Sequence, residues 1–204
     1  MNNEIFQQIN NLAGHSALLD KTMVFLTDST AYVAIFILLA LWFQNGKLER
    51  VAVSKQYTAI YAVLSTLMGL AINAIIHSVY YHPRPFVTYH VHQLVPHGLD
   101  SSFVSDHSVL VFAIAFTLLL RSDSLKHIVL SWAILIGITR IYIGVHYPLD
   151  VIGGAALSFM TSFIVVANAK KVEPLAQFIF RLFRKVIIVI PFLSKYYHGA
   201  HREG

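Results

Sequence analysis

The sequence predicts an all-α integral membrane protein, a bundle of five or six transmembrane helices with interfacial amphipathic helices at the N- and C-termini. Composition is the first indication, because 56% of the 204 residues are hydrophobic and only 12% are charged, which is far more apolar than a soluble domain. The mean hydropathy of +0.63 agrees. Five separate apolar runs are the second indication, and the placement of lysine and arginine between them is the third.

The apolar runs are separated by short polar segments, and we expect one membrane domain that covers residues 1–204. A helix needs about 20 residues to cross the hydrocarbon core. The first and third runs are shorter than this. The predicted spans are residues 30–44, 57–80, 105–120, 127–143 and 151–169, and together they define a transmembrane core over residues 29–170.

The N-terminal segment is amphipathic and not uniformly apolar. Residues 4–27 alternate apolar side chains with Asn, Gln, Asp and Lys. This mixture favours a helix that lies in the membrane interface over one that crosses it. We therefore predict an interfacial helix over residues 1–28.

The C-terminal segment, residues 172–204, is basic as well as partly apolar. It contains Arg181, Arg184 and Lys185, and each such charge near the middle of a span costs roughly 2.5 to 3.5 kcal/mol. We expect a basic amphipathic tail on the inner leaflet. A sixth span over residues 174–196 is the alternative.

Basic residues set the predicted orientation, because short cytoplasmic loops carry an excess of Lys and Arg. With five spans, all the basic loops fall on one side of the membrane. They contain Lys47, Arg50, Lys55, Arg121, Lys126, Lys170 and Lys171. The extracytoplasmic side then receives residues 81–104 and 144–150, which hold five of the eleven histidines. The net charge of +5 is explained by these anchoring residues, and nothing in it indicates a nucleic-acid partner.

The stretch RIYIGVHYPLD carries three ionisable groups at the edge of a hydrophobic span. Pro148 suits the first position of a helix and would place Asp150 in its first turn. His146 then lies just before a helix N-terminus, where unpaired N–H groups attract an anion. Gly144 permits a sharp turn after the preceding span, near whose end Arg140 lies. We expect Arg140, His146 and Asp150 to converge.

Two further segments have a similar design. In SSFVSDHSVL, either Ser105 or Asp106 is a good N-cap, and His107 falls in the first turn of the next span. In HSVYYHPRPF, Arg84 lies between prolines that hold it extended, seven residues after His77. All of these groups belong to the same predicted face of the membrane.

Together these groups predict a phosphate site with two imidazoles. Arginine donates a fork of N–H groups to phosphate oxygens, and Arg84 and Arg140 are both available on this face. Taken singly, each group has a simpler interpretation: Arg140 as an interfacial anchor, His107 as a satisfied polar residue. The joint placement of three such segments favours the phosphate site.

The joint pattern resembles the type 2 phosphatidic acid phosphatase (PAP2) superfamily. The signature of that family is K-x6-R-P, then P-S-G-H, then S-R-x5-H-x3-D, and this chain has HSVYYHPRP, VSDH and TRIYIGVHYPLD. The third motif differs only in Thr139. The second has Val104 and Asp106 where the family has proline and glycine, and its S-D-H form is similar to the bacterial BcrC type that acts on undecaprenyl diphosphate. The first motif has His77 in place of lysine.

The resemblance implies a lipid diphosphate phosphatase that recycles the cell-wall lipid carrier in the plasma membrane and confers bacitracin resistance. It implies that His146 is the nucleophile and forms a phosphohistidine, that Asp150 orients it, and that His107 is the general acid and base. The phosphate-binding residues would be Arg84, Arg140, Ser105, His77 and Asp106. The resemblance implies no metal and no other cofactor. The partners would be a lipid diphosphate and membrane lipids.

Other functions remain open at this stage. Another lipid phosphate, such as phosphatidic acid or phosphatidylglycerol phosphate, could be the substrate. A metal-binding membrane protein or transporter is conceivable, because histidines are common metal ligands and one loop region is rich in them: His77, His82, His90, His92, His97 and His107. The chain has no cysteine, which excludes thiolate sites and disulfides. The oligomeric state is left open.

Overall fold

The computed structural model describes residues 2–43 and 49–189, and in these ranges all regular secondary structure is helical. The helices are α1 (Asn2–Asn10), α2 (Ala17–Asp28), α3 (Thr30–Phe43), α4 (Glu49–Val79), α5 (Pro85–Thr88), α6 (Asp106–Leu120), α7 (Lys126–Tyr142), α8 (Pro148–Ala167) and α9 (Ala169–Val189). Lys47 and the last part of the predicted tail, residues 190–204, lie outside the described residues.

The helix α6 forms the centre of the bundle and packs against α4, α7 and α8. Most of its side chains are buried, as expected for a helix that is apolar on every side. The five predicted apolar runs correspond to α3, α4, α6, α7 and α8. The apolar runs therefore located these five helices correctly.

Small and hydroxyl-bearing residues bring the central helices together. Thr117 on α6 lies 3.3 Å, oxygen to oxygen, from both Ser65 on α4 and Ser162 on α8. A Cβ added at Gly154 on α8 would lie 2.8 Å from the Cβ of Ser108 on α6. Close backbone approach and hydroxyl contacts of this kind stabilise helix pairs in membranes.

Length and composition identify fewer membrane-spanning helices than the five or six predicted. Within the described residues, the part of α4 from Val53 to Val79 and α8 are long and apolar enough to cross a membrane. A third span results if α2 and α3, which meet at a 51° bend, are counted as one. The helix α6 has only 15 residues, and α7 carries Lys126 and Arg140 near its two ends.

One end of the bundle is held by buried or partly buried polar contacts between α4 and the α6–α7 connection. Lys55 Nζ lies 2.7 Å from Asp123 Oδ1. Arg121 donates from Nε to the hydroxyl of Thr58 at 2.9 Å and lies 5.0 Å above the ring of Tyr61. These contacts place two of the predicted basic loops at the same end. The loops over residues 81–104 and 144–150, which hold five of the eleven histidines, lie at the other end.

The N-terminal segment forms two helices and not the single helix predicted over residues 1–28. The break follows Gly14, at φ +82°, and Ser16 then caps α2 by accepting from the N–H of Leu19. Phe6 of α1 is fully buried, with its ring edge against Tyr147 at 5.4 Å. Glycine followed by a capping serine is a sufficient local reason for the break.

The helix α9 is amphipathic. Its aromatic face packs on α3 and α4, where Phe180 contacts Tyr57 at a ring distance of 5.0 Å and Phe183 contacts Trp42 at 4.9 Å. Its exposed positions include Lys170, Lys171, Arg181 and Lys185. The helix begins slightly before residue 172, where the basic tail was predicted to start.

Candidate active site

A tight turn between α7 and α8 positions His146, whose side chain is almost fully buried. Gly144 has φ +83°, and a Cβ there would lie 2.8 Å from the carbonyl oxygen of His92, so glycine is required at this position. Pro148 is the first residue of α8. Both features of the turn were predicted from the sequence and are confirmed.

The imidazole of His146 is held from one side by Ser102 and Asp150. Its Nδ1 lies 2.9 Å from the carbonyl oxygen of Ser102 and 3.5 Å from Asp150 Oδ2. An Nδ1–H that donates to these oxygens fixes the tautomer and leaves a lone pair on Nε2. This Nε2 lies 3.1 Å from Nη1 of Arg84. His146 is therefore oriented with a nucleophilic nitrogen facing a guanidinium.

Asp150 is buried and is fixed by several donors. Its Oδ2 accepts from the backbone N–H of Tyr147 at 2.8 Å and from the hydroxyl of Ser102. Its Oδ1 has no hydrogen bond, although Nδ1 of His82 lies 3.9 Å away. The carboxylate thus caps the N-terminus of α8 and also supports the ring of His146.

Arg84 is buried at the N-terminus of α5. It donates from Nε and Nη2 to the two carboxylate oxygens of Asp100, at 3.3 and 3.0 Å. It also donates to the carbonyl oxygens of Ser101 at 3.3 Å and Val145 at 3.1 Å. The contact of Nη1 with His146 Nε2 completes this set.

Arg140, in the last turn of α7, is only 3% exposed. Its Nη1 donates to the hydroxyl of Thr27 at 2.8 Å. Its Nε and Nη2 have no hydrogen-bond partner. Buried donors without a partner are costly and rare, so these N–H groups are available to bind an anion.

The N-terminus of α6 adds the second imidazole. Ser105 is the N-cap, and its hydroxyl accepts from the N–H of Ser108 at 3.5 Å. His107 is half-buried in the first turn and lies within electrostatic range of Arg140 and His146. The expectation that Ser105 or Asp106 caps this helix is confirmed for Ser105.

Two of the predicted phosphate-binding residues contact the backbone or side chains next to the site. His77 Nε2 lies 3.1 Å from the carbonyl oxygen of Val104. Asp106 accepts from the side-chain amide of Asn73 at 2.7 Å, and Asn73 also donates to the carbonyl of Val104 at 2.9 Å. In the structure, these contacts tie the end of α4 to the start of α6.

Several site residues were not predicted. Ser102 is fully buried and contacts both His146 and Asp150. It lies in the SSFVSDHSVL segment, three residues before Ser105. Thr27, from α2, accepts from Arg140, and no local pattern indicates this. His97 and Asp100 lie beside the site in the 81–104 loop, where a ring distance of 6.2 Å separates His97 from His146.

Comparison with known proteins gives the family of this chain. The profile of the PAP2 superfamily matches residues 58–174, which is more than half of the 204 residues. The chain belongs to the PAP2 superfamily. This range contains the whole of the three segments around Arg84, His107 and His146.

Curated and solved relatives of this PAP2 protein cover almost its full length. Undecaprenyl-diphosphatase BcrC of Bacillus subtilis is 35% identical over 187 residues, which are 92% of this chain and 94% of the relative. The Bacillus licheniformis protein named bacitracin transport permease protein BcrC is 32% identical over 91% of this chain and 89% of the relative. The crystal structure of Aquifex aeolicus LpxE superimposes with a TM-score of 0.68 at 28% identity, over 81% of this chain and 94% of that one.

Electrostatics in this PAP2 site favour a neutral His146. Burial lowers the pKa of His146 to about 4, assisted by the charges of Arg140 and Arg84 and opposed by Asp150. A neutral imidazole keeps the lone pair that nucleophilic attack requires. The orientation of the ring and its lowered pKa therefore both favour a neutral His146 with its lone pair on Nε2.

The lowered pKa of His146 predicts a specific acid sensitivity. An unfolded histidine titrates near pH 6.5, so between this value and about pH 4 the unfolded chain binds a proton that the folded protein refuses. Stability should therefore fall as the pH falls through this window. His146→Gln, which cannot titrate, should lose less stability across it. Thermal unfolding of both proteins in detergent tests this, and parallel slopes would contradict the assignment.

The histidines of this PAP2 protein do not gather into a metal-binding group in the part of the chain that the structure describes. No set of three or more His, Cys, Asp or Glu side chains there has a geometry that could hold a metal ion. His97 contacts Asp100, with 3.7 Å between Nδ1 and Oδ1, while His77 contacts a backbone carbonyl. The metal-binding interpretation of these histidines therefore gains no support from their arrangement.

Proposed function

We propose that this PAP2 protein is an undecaprenyl-diphosphate phosphatase, which removes the terminal phosphate of the cell-wall lipid carrier. The observation that carries the proposal is the pair of unpartnered, buried N–H groups of Arg140 beside the oriented imidazole of His146. An anion that fills this place would satisfy both donors. The name of the B. subtilis relative, which matches over 92% of this chain, supports a lipid diphosphate as that anion.

His146 is the proposed nucleophile. The lone pair of its Nε2 attacks the terminal phosphorus, a P–N bond forms, and the bond from phosphorus to the bridging oxygen breaks. Ser102 and Asp150 hold the opposite side of the ring, at 2.9 and 3.5 Å from Nδ1, and stabilise the positive charge that develops there. Asp150 is thus a positioning residue.

His107 is the proposed general acid and base. In its protonated form it gives a proton to the bridging oxygen as undecaprenyl phosphate leaves. The neutral imidazole then accepts a proton from water, which attacks the phosphohistidine and releases inorganic phosphate. Its place in the first turn of α6, within electrostatic range of Arg140 and His146, supports this role.

The other predicted residues bind the phosphate directly or hold the segments that do. Arg140 and Arg84 neutralise charge on the equatorial oxygens of the transferred phosphoryl group. Ser105 places the N-terminus of α6 toward the same oxygens. His77 contacts Val104 and Asp106 contacts Asn73. These two contacts hold the segment before α6 and so affect the phosphate site indirectly.

We propose a five-span arrangement in which α3, α4, α6, α7 and α8 cross the membrane. Residues 29–170 form the catalytic core, residues 1–28 lie at the outer interface, and residues 172–204 form a basic tail on the inner leaflet. The exposed basic positions of α9 and its aromatic face against α3 and α4 support the tail. The catalytic end then faces the extracytoplasmic side, as the basic loops at the other end predict.

Cysteine labelling tests this orientation, and the natural chain has no cysteine to interfere. Leu99 is 71% exposed in the site loop, and His127 is exposed at the opposite end, at the start of α7. In intact cells, Leu99→Cys should react with a membrane-impermeant maleimide and His127→Cys should not. Both should react once the cells are lysed. The inverse pattern would overturn the orientation.

A phosphate-release assay tests the substrate. The purified protein should release phosphate from undecaprenyl diphosphate faster than from phosphatidic acid or phosphatidylglycerol phosphate, and the rate should be unchanged by a chelator. Preference for either of the other lipids would reassign the substrate, and no release from any of them would refute the proposed enzymatic activity.

Cells that express the protein should also tolerate more bacitracin than cells that express an inactive variant.

A further inference from the structure

The hydrogen bonds of Arg84 are fully used in the structure. A guanidinium has five N–H donors, and those of Arg84 meet five acceptor atoms. Two are the carboxylate oxygens of Asp100, two are the backbone carbonyl oxygens of Ser101 and Val145, and the fifth is Nε2 of His146. A phosphate can bind Arg84 only by displacing one of these acceptors.

Arg140 differs from Arg84 in this respect. It is equally buried, but its Nε and Nη2 have no partner. An incoming phosphate therefore meets free donors on Arg140 and occupied donors on Arg84. The two arginines are not equivalent in their availability to phosphate.

Asp100 is the acceptor on Arg84 that is best able to leave. The carbonyls of Ser101 and Val145 are part of the backbone, and the buried ring of His146 is held from its other side. The side chain of Asp100, in contrast, is 54% exposed at the rim of the site. Burial opposes ionisation, but the hydrogen bonds and charge of Arg84 lower the pKa of Asp100. The carboxylate is therefore charged, and it binds the fork of Arg84 as a phosphate would.

We propose that Asp100 is a specificity-determining residue that occupies the phosphate position on Arg84 until a sufficiently charged head group displaces it. This inference rests on the proposed function, because it concerns which lipid phosphates the same site accepts. A diphosphate carries about one more negative charge than a monophosphate, which itself carries about −1.5 to −2. The diphosphate competes better for both arginines, and the inorganic phosphate product competes less well. Asp100 thus favours diphosphate lipids and speeds the release of phosphate.

The direct test is the affinity for inorganic phosphate, measured as the phosphate-dependent rise in unfolding temperature of the detergent-solubilised protein. Asp100→Asn should bind phosphate about tenfold more tightly, which corresponds to about 1.4 kcal/mol. Asp100→Glu, which restores the carboxylate, should bind phosphate as weakly as the parent. Glu173→Gln removes one negative charge near Tyr57, to which Glu173 is hydrogen-bonded. Tyr57 lies about 30 Å along α4 from His77, so Glu173→Gln should bind phosphate as the parent does.

The same variants give a second readout in turnover. Asp100→Asn should lower the ratio of kcat/KM for diphosphate over monophosphate lipids about tenfold and should make phosphate a stronger product inhibitor. Unchanged or weaker phosphate binding by Asp100→Asn would overturn the inference, and so would the absence of any phosphate effect on unfolding in every protein. The unfolding titration measures phosphate binding and needs no turnover. Failure of the parent protein to hydrolyse lipid diphosphates would therefore refute the proposed function without deciding the role of Asp100 in phosphate binding.

Discussion

His146→Ala should abolish phosphate release, with a fall in kcat of at least about 10⁴-fold. The imidazole is the proposed acceptor of the phosphoryl group, and its Nδ1 is already held by Ser102 and Asp150. No neighbouring side chain in the described part of the chain has an equivalent orientation, because His107 lies on another helix and His97 lies across the site. The measurement is phosphate release from undecaprenyl diphosphate at saturating substrate.

A loop histidine provides the matched control. His90 is exposed in the 81–104 loop, and His90→Ala should retain parental activity. Thermal unfolding of both variants separates loss of chemistry from loss of folding. Near-parental turnover by a folded His146→Ala protein would remove the phosphohistidine mechanism.

Arg140→Met should lower kcat/KM by about 10²- to 10⁴-fold, because two charge-assisted hydrogen bonds to the phosphoryl group, worth about 1.5 to 3 kcal/mol each, would be lost. The same substitution should stabilise the protein when unfolding is measured without phosphate or lipid substrate. The Nε and Nη2 donors of Arg140 are buried without a partner, and an apolar side chain of similar length removes the desolvation penalty of such donors, about 1 to 3 kcal/mol. Activity and unfolding temperature should therefore move in opposite directions.

Arg121 is the control for this prediction. It lies at the other end of the bundle and is well partnered, donating to Thr58 and Ser54 and lying over the ring of Tyr61. Arg121→Met should lower the unfolding temperature and leave kcat/KM near the parental value. If Arg140→Met were instead less stable and still active, Arg140 would be a structural residue and the phosphate site would lie elsewhere.

Local features of the sequence predicted much of the site because they act through neighbouring residues. Pro148 begins α8, Gly144 makes the turn with φ +83°, and Ser105 caps α6. Each depends on the conformational preference of one residue or on a hydrogen bond within one turn. The same holds for the helices, since long apolar runs have no other stable form in a membrane.

Contacts between distant segments could not be predicted in this way. Thr27 and Arg140 are 113 residues apart, and Asn10 and Tyr142 are 132 residues apart. A threonine near the end of α2 has nothing in its own surroundings that identifies it as a partner of an arginine. The interfacial position of residues 1–28 stays a prediction, and the structure adds contacts from this segment to α7 that the sequence did not indicate.

His77 is the residue at which this chain departs from the first motif of the family. Its position in the sequence matches the lysine of the family signature, which predicted a direct phosphate contact. In the structure its imidazole lies 3.1 Å from the carbonyl oxygen of Val104. The direct phosphate contact of His77 stays a prediction.

The contact between Thr27 and Arg140 also bears on how the protein is made. Thr27 is synthesised long before its partner Arg140, and Asn10 is synthesised long before its partner Tyr142. Contacts between segments so far apart in the chain form late, after the intervening helices have been inserted. A newly synthesised chain should therefore pass through an inserted but inactive stage. The appearance of activity should lag behind membrane integration.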